Sequence, residues 1–122
     1  LVRGNDMDSV EVKSFAAADE VNTSFNHATI EAVKVGGQRV IRLTLEPGWK
    51  WSVDVKPTVG TSTCQAPHLG VIISGSICCR HDDGTEKVYS AGDAYAIQPG
   101  HDAWVLGDEV AEAFEFAGMW GE

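Results

Sequence analysis

Turn signals recur along this chain at the spacing of a protein built from strands and tight turns. Gly36-Gly37, Glu46-Pro47-Gly48, Asp82-Asp83-Gly84, Ala91-Gly92-Asp93 and Pro99-Gly100 each interrupt a short apolar or β-branched run. Short strands with turns at about 8 to 12 residue intervals belong to sandwiches and barrels. Glycine fills 13 of the 122 positions, above the roughly 7% average, as so many turns would require. A chain of this length buries one modest core, so one domain is expected.

Read strand by strand, Thr29 to Val35 and Gln38 to Leu45 flank Gly36-Gly37 as a hairpin, because two glycines take positive φ twice at no cost. Trp49, Trp51, Val53 and Val55 alternate with Lys50, Ser52 and Asp54, which predicts a half-buried strand. Leu69 to Ile73, Ile77 to His81, Glu86 to Tyr89, Ala94 to Ile97, His101 to Leu106 and Glu112 to Phe116 follow as further strands. Ahead of them lie a weaker strand signal at Ser9 to Lys13 and a helical turn from Phe15 to Val21, capped by Ser14. About nine strands are expected in all.

The formal charge is −9, and the nine basic residues are scattered. A surface of that kind is poorly suited to nucleic acid or anionic membranes. The longest apolar stretch, Gly70 to Cys79, contains Ser74-Gly75-Ser76 and falls short of the ~20 residues of a spanning helix. Three cysteines do not make a disulfide framework, and reduced thiols suit a cytoplasmic protein. Leu1 to Asp6 reads as an added remnant, an upstream extension or an unstructured N-terminus. Phosphate-binding loops, serine-hydrolase elbows, His-Glu-x-x-His and Cys-x-x-Cys pairs are absent, so no nucleotide cofactor is expected.

Two stretches carry a family likeness. Gly60 through Gly75 aligns with a motif of the form Gly, five residues, His-x-His, three or four residues, Glu, six residues, Gly. Gly92-Asp93-Ala94-Tyr95-Ala96-Ile97-Gln98-Pro99-Gly100-His101-Asp102-Ala103 aligns with a second, Gly, five residues, Pro-x-Gly, two residues, His. On these residues the chain resembles the cupin family. The resemblance implies an all-β double-stranded β-helix, an antiparallel barrel or jelly roll, spanning Leu45 to Ala117 as a single domain. Residues Met7 to Thr44 would complete it as a strand-rich extension, and Gly118 to Glu122 would form a tail. A homodimer is the assembly it implies.

Many cupins hold a divalent metal at the motif positions that here carry Ser62, Cys64, His68 and Ala103. His101, two residues before Ala103, projects to the same side of its strand. Cys64, His68 and His101 are therefore the candidate metal ligands. A thiolate and two imidazoles favour zinc or nickel over iron or manganese, with one coordination position left for water or substrate. The plainer reading makes Cys64 a buried packing residue and the histidines hydrogen-bonded barrel residues. His68 or His101 with Tyr89 or Tyr95 offers acid–base chemistry without metal, the His base and Tyr acid that some cupin-like sugar epimerases use. His27 and His81 read as surface or packing residues, and Asp102 and Trp104 should face away from His101. Trp49, Trp51 and Tyr95 are candidates for the wall of a small-molecule pocket, and some of Trp49, Trp51, Trp104 and Trp120 could instead cover a subunit contact.

Two functions are thus open. One is a metal-dependent enzyme acting on a small molecule inside the barrel. The other is a metal-free small-molecule binding or sensing module.

Overall fold

A computed structural model of the chain describes residues 9–117. Residues 1–6, Trp120 and the tail expected at 118–122 lie outside the described residues. Among the described residues, nine strands form two antiparallel sheets that face each other around one core. The larger sheet contains β1 (Glu20–Asn22), β2 (Ala28–Val35), β3 (Gln38–Leu45), β4 (His68–Ser74), β7 (Ala94–Ile97) and β9 (Ala111–Ala117), in the order β1-β2-β3-β9-β4-β7. The smaller holds β5 (Ser76–His81), β6 (Glu86–Ser90) and β8 (His101–Leu106), in the order β6-β5-β8.

The hairpin β2–β3 forms where two consecutive glycines allow it, Gly36 at φ 60° and Gly37 at φ 75°, and pairs Val35 with Gln38 through Ala28 with Leu45. β3 then pairs with β9, which pairs with β4, so the last strand described lies in the middle of the larger sheet. Period-2 alternation directs one face of the core strands inward, while the short edge strand β1 is exposed throughout. On β8 the inward set is His101, Ala103 and Val105, and on β9 it is Ala111, Ala113 and Glu115. Ile72 of β4 is fully buried at the centre.

The segment Trp49 to Val55 departs from the strand expected there. It forms a short helix, α1 (Trp51–Asp54), followed by α2 (Lys56–Val59). The reason is local. The Lys50 carbonyl accepts from the Val53 and Asp54 amides, while the Asp54 carboxylate accepts the Lys50 N–H at 3.0 Å. In this conformation Trp51 and Val55, four residues apart, share the buried face, whereas Val53 is 64% exposed. The alternation of apolar residues fits both periods, since Trp51 and Val55 are also one helical turn apart.

The N-terminal reading also needs correction. Val10 and Val12 are 78% and 84% exposed in a segment without strand structure, and the edge strand beside β2 is β1 instead. Ser14 does cap a turn, a 3-10 helix at Phe15–Ala17, with its Oγ accepting from the Ala16 N–H at 3.0 Å. That turn lays Phe15 on the outer face of the larger sheet, against Phe114 and beneath the Arg42 guanidinium. No helix among the described residues is long and apolar enough to cross a membrane.

Candidate metal centre and interior cavity

Two strands and a connection bring the candidate ligands together. His68 opens β4, His101 opens β8, and Cys64 lies between α2 and β4. The Cys64 N–H donates to the His101 carbonyl at 2.7 Å, and the Gly100 N–H donates to the Cys64 carbonyl at 2.7 Å. An otherwise irregular connection is thereby stitched to the start of β8 as one extra antiparallel rung, which places Cys64 beside His101.

The three ligand atoms lie within 4.8 Å of one another, with the Cys64 Sγ 3.8 Å from His68 Nε2. The two imidazoles meet edge to face, their centroids 5.0 Å apart. Each ring has its Nδ1 committed elsewhere: that of His68 to Glu115 Oε1 at 2.7 Å, that of His101 to the Gln98 carbonyl at 2.8 Å. With Nδ1–H donated, Nε2 is the nitrogen left for a metal, the usual way a carboxylate or carbonyl fixes a ligand's tautomer. Ligand atoms at about 2.0–2.3 Å from a tetrahedral ion stand about 3.5 Å apart, so the widest separation here would close by about 1 Å on binding. The residues fit a borderline divalent ion.

Burial disfavours the charged forms of both Cys64 and His68, but mutual contact outweighs it. The His101 and His68 rings and the Ala66 amide lower the Cys64 thiol to about 6. Hydrogen bonds to Cys64 and Glu115 raise His68 to about 10. Without an ion the pair is therefore a thiolate beside an imidazolium. Cys79, also facing inward, is pushed up to about 11 by burial and the neighbouring thiols and keeps its proton.

Glu115 is the functional residue that the strand reading missed. Its Oε2 accepts the Tyr95 hydroxyl at 2.7 Å, completing a chain Tyr95–Glu115–His68–Cys64. Tyr95 and Glu115 both pair with Gly70, from the strands on either side of it. A Cβ on Gly70 would stand 2.9 Å from the Tyr95 hydroxyl and 2.9 Å from Glu115 Cγ, so only glycine lets the two meet above the backbone. The signal was present in the sequence: Glu115 is in phase with Ala111 and Ala113, the small inward residues of β9. Burial and Glu115 together raise Tyr95, so its hydroxyl is a donor at neutral pH.

The cluster forms one wall of an interior cavity of about 190 Å³. Trp49, Trp51 and Tyr95 line it, together with aliphatic residues and Phe25. Trp49 carries a buried indole N–H with no acceptor among the described residues. Tyr89 and Tyr95, with ring centroids 4.4 Å apart, also border an outer groove of about 550 Å³ between β6 and β7.

Other candidates have structural work. His81 donates from Nε2 to the Pro99 carbonyl and accepts the Asp83 N–H, closing the β5–β6 hairpin. His27, at φ 63°, contacts Asp54 at 3.3 Å and ties the start of β2 to α1. Asp102 faces away from His101, accepting the Ser52 N–H of α1, and Trp104 lies beneath Lys50 on the same side. Ser62 is exposed, and Ala103 is a buried wall residue beside His101.

No protein-family model and no curated protein matches the chain. Solved structures do. An RmlC-like cupin family protein with a double-stranded β-helix fold, from Methanocaldococcus jannaschii, is similar at 12% identity and TM-score 0.51, over 80% of this chain and 84% of that one. The polyketide cyclase RemF from Streptomyces resistomycificus is similar at 11% identity and TM-score 0.61, over 88% of this chain and 78% of its own. Fe(II) HppE is similar at 8% identity and TM-score 0.61, over 93% of this chain and 63% of its own. At such identities the likeness establishes the fold, an all-β cupin-type double-stranded β-helix.

Proposed function

We propose that this chain is a metal-dependent cupin enzyme whose Cys64, His68 and His101 hold one divalent ion, zinc or nickel, against a small molecule in the interior cavity. The observation that carries the reading is the convergence of three ligand atoms within 4.8 Å, with Nδ1 of each histidine already engaged by an acceptor. A bound ion of this type supplies Lewis acidity and a position for water or substrate. The protein's own part is to orient and to dry the site. Glu115 fixes the His68 ring and Gln98 the His101 ring, while the aromatic walls exclude water from the reacting molecule. Tyr95 keeps its proton and donates a hydrogen bond to Glu115, which steadies the carboxylate that accepts from His68 Nδ1–H.

A second reading has its own support. Cys64, His68 and Glu115 satisfy one another without an ion, and such a closed polar cluster suits a metal-free binding module. Metal content decides between them. Protein purified without a histidine tag or nickel column should carry close to one ion per chain, and Cys64→Ala or His68→Ala should lose it while remaining folded. A metal-free wild type that takes up no added zinc or nickel supports the binding module, and unchanged stoichiometry in both variants would overturn the ligand assignment.

A further inference from the structure

The interior cavity is selective in size, polarity and charge. Its volume of about 190 Å³ slightly exceeds the ~150 Å³ of apolar cavities that admit benzene. The walls are aromatic and aliphatic; Cys64, His68, His101, Glu115 and Tyr95 form one polar patch. Trp49, whose indole N–H has no acceptor among the described residues, Trp51 and Tyr89 are the other lining residues with a polar side-chain atom. No lysine or arginine is among the residues described in its lining. A ligand anion would therefore meet Glu115 and no lysine or arginine in a largely apolar pocket.

We infer that the cavity takes a small uncharged molecule with a compact apolar body of about six to ten non-hydrogen atoms and a single donor atom directed at the metal centre. Substrates of the sugar-acid, phosphate or polycarboxylate type are excluded by the same walls. Only the donor-atom clause rests on the proposed metal site. The apolar body follows from the cavity alone, because desolvating an aromatic ring into it is favourable with or without an ion.

Toluene and benzoate separate the claims, since they match in ring size and differ in charge. The chelator-treated wild-type chain should gain at least about 3 °C in melting temperature with toluene near its solubility limit, and less than about 1 °C with benzoate at the same concentration. Equal shifts, a larger benzoate shift, or none with toluene would overturn the inference. Ala103→Val narrows the cavity wall and should remove the toluene shift. If that variant does not fold, magnetisation transfer from toluene to the Ala103 methyl of the wild type locates the ligand, and its absence counts against this cavity. A parallel cobalt(II) titration reads the metal site through thiolate charge-transfer bands. Absent bands remove the metal reading and the donor-atom clause, while the toluene and benzoate comparison still decides the apolar body.

Discussion

The Tyr95 hydroxyl reaches Glu115 Oε2 at 2.7 Å directly over Gly70, the residue to which both are paired in neighbouring strands. Glu115 in turn holds His68 at 2.7 Å. A tyrosine, a glycine and a glutamate from three strands thus set the ring orientation of one candidate metal ligand.

Replacing Glu115 by Gln keeps its volume and removes its charge. Outer carboxylates of this kind are worth about 10- to 100-fold in metal affinity. Glu115→Gln should weaken zinc binding within that range in a chelator competition, with the fold retained. A change below threefold would show that Glu115 does not tune the site.

Gly70→Ala tests the close approach. The added methyl meets the Phe114 carbonyl, a backbone atom that cannot swing aside, as well as Glu115 and Tyr95. A cost of about 1–3 kcal/mol in urea denaturation is expected, as for overpacking in other cores. Unchanged stability would mean that the three strands have more slack than these distances allow.

The helical form of residues 51–54 makes opposite demands on two neighbouring valines. Val55→Ala should cost about 1–2 kcal/mol, because Val55 packs into the core, while Val53→Ala should stay within about 0.5 kcal/mol. A strand would have placed both valines on one face and given them similar costs.

The metal-free protein should show a stability plateau with pH. Cys64 falls from 9.0 to about 6 on folding, so its contribution is full above pH 9 and lost as pH drops through about 6. His68 rises from 6.5 to about 10, so its contribution is full below pH 6.5 and lost as pH climbs through about 10. Between pH 6.5 and 9 folding moves a proton from thiol to imidazole, and the two slopes cancel. Denaturation midpoints of chelator-treated protein should therefore be flat across that window and fall on the alkaline side up to about pH 10. Thiolate absorbance near 240 nm should titrate with a midpoint near 6, and a midpoint near 9 would contradict the thiolate–imidazolium pair.

Strand positions were legible because their causes are local. Gly36-Gly37 closes β2 onto β3 wherever the hairpin sits, and alternation fixes which side of β8 carries His101 and Ala103. The cupin-type spacing of Gly60 to Gly75 likewise named Cys64 and His68, and strand alternation from the Ala103 motif position added His101. At Trp49 to Val55 the same local argument failed, since apolar residues at alternate positions include a pair four apart. The choice there depended on Asp54 reaching the Lys50 amide and on the space above the cavity.

By itself, then, the sequence determined the antiparallel strands, the turns between them and the residue types able to bind a metal, because backbone sterics and side-chain period act over a few residues. Tertiary structure alone decided which groups would meet. Glu115 is 47 residues from His68, Tyr95 is 20 from Glu115, and Cys64 joins His101 through backbone hydrogen bonds of an irregular connection. Such contacts depend on strand order in the sheet and on a single missing side chain at Gly70, neither of which leaves a periodic mark on the chain.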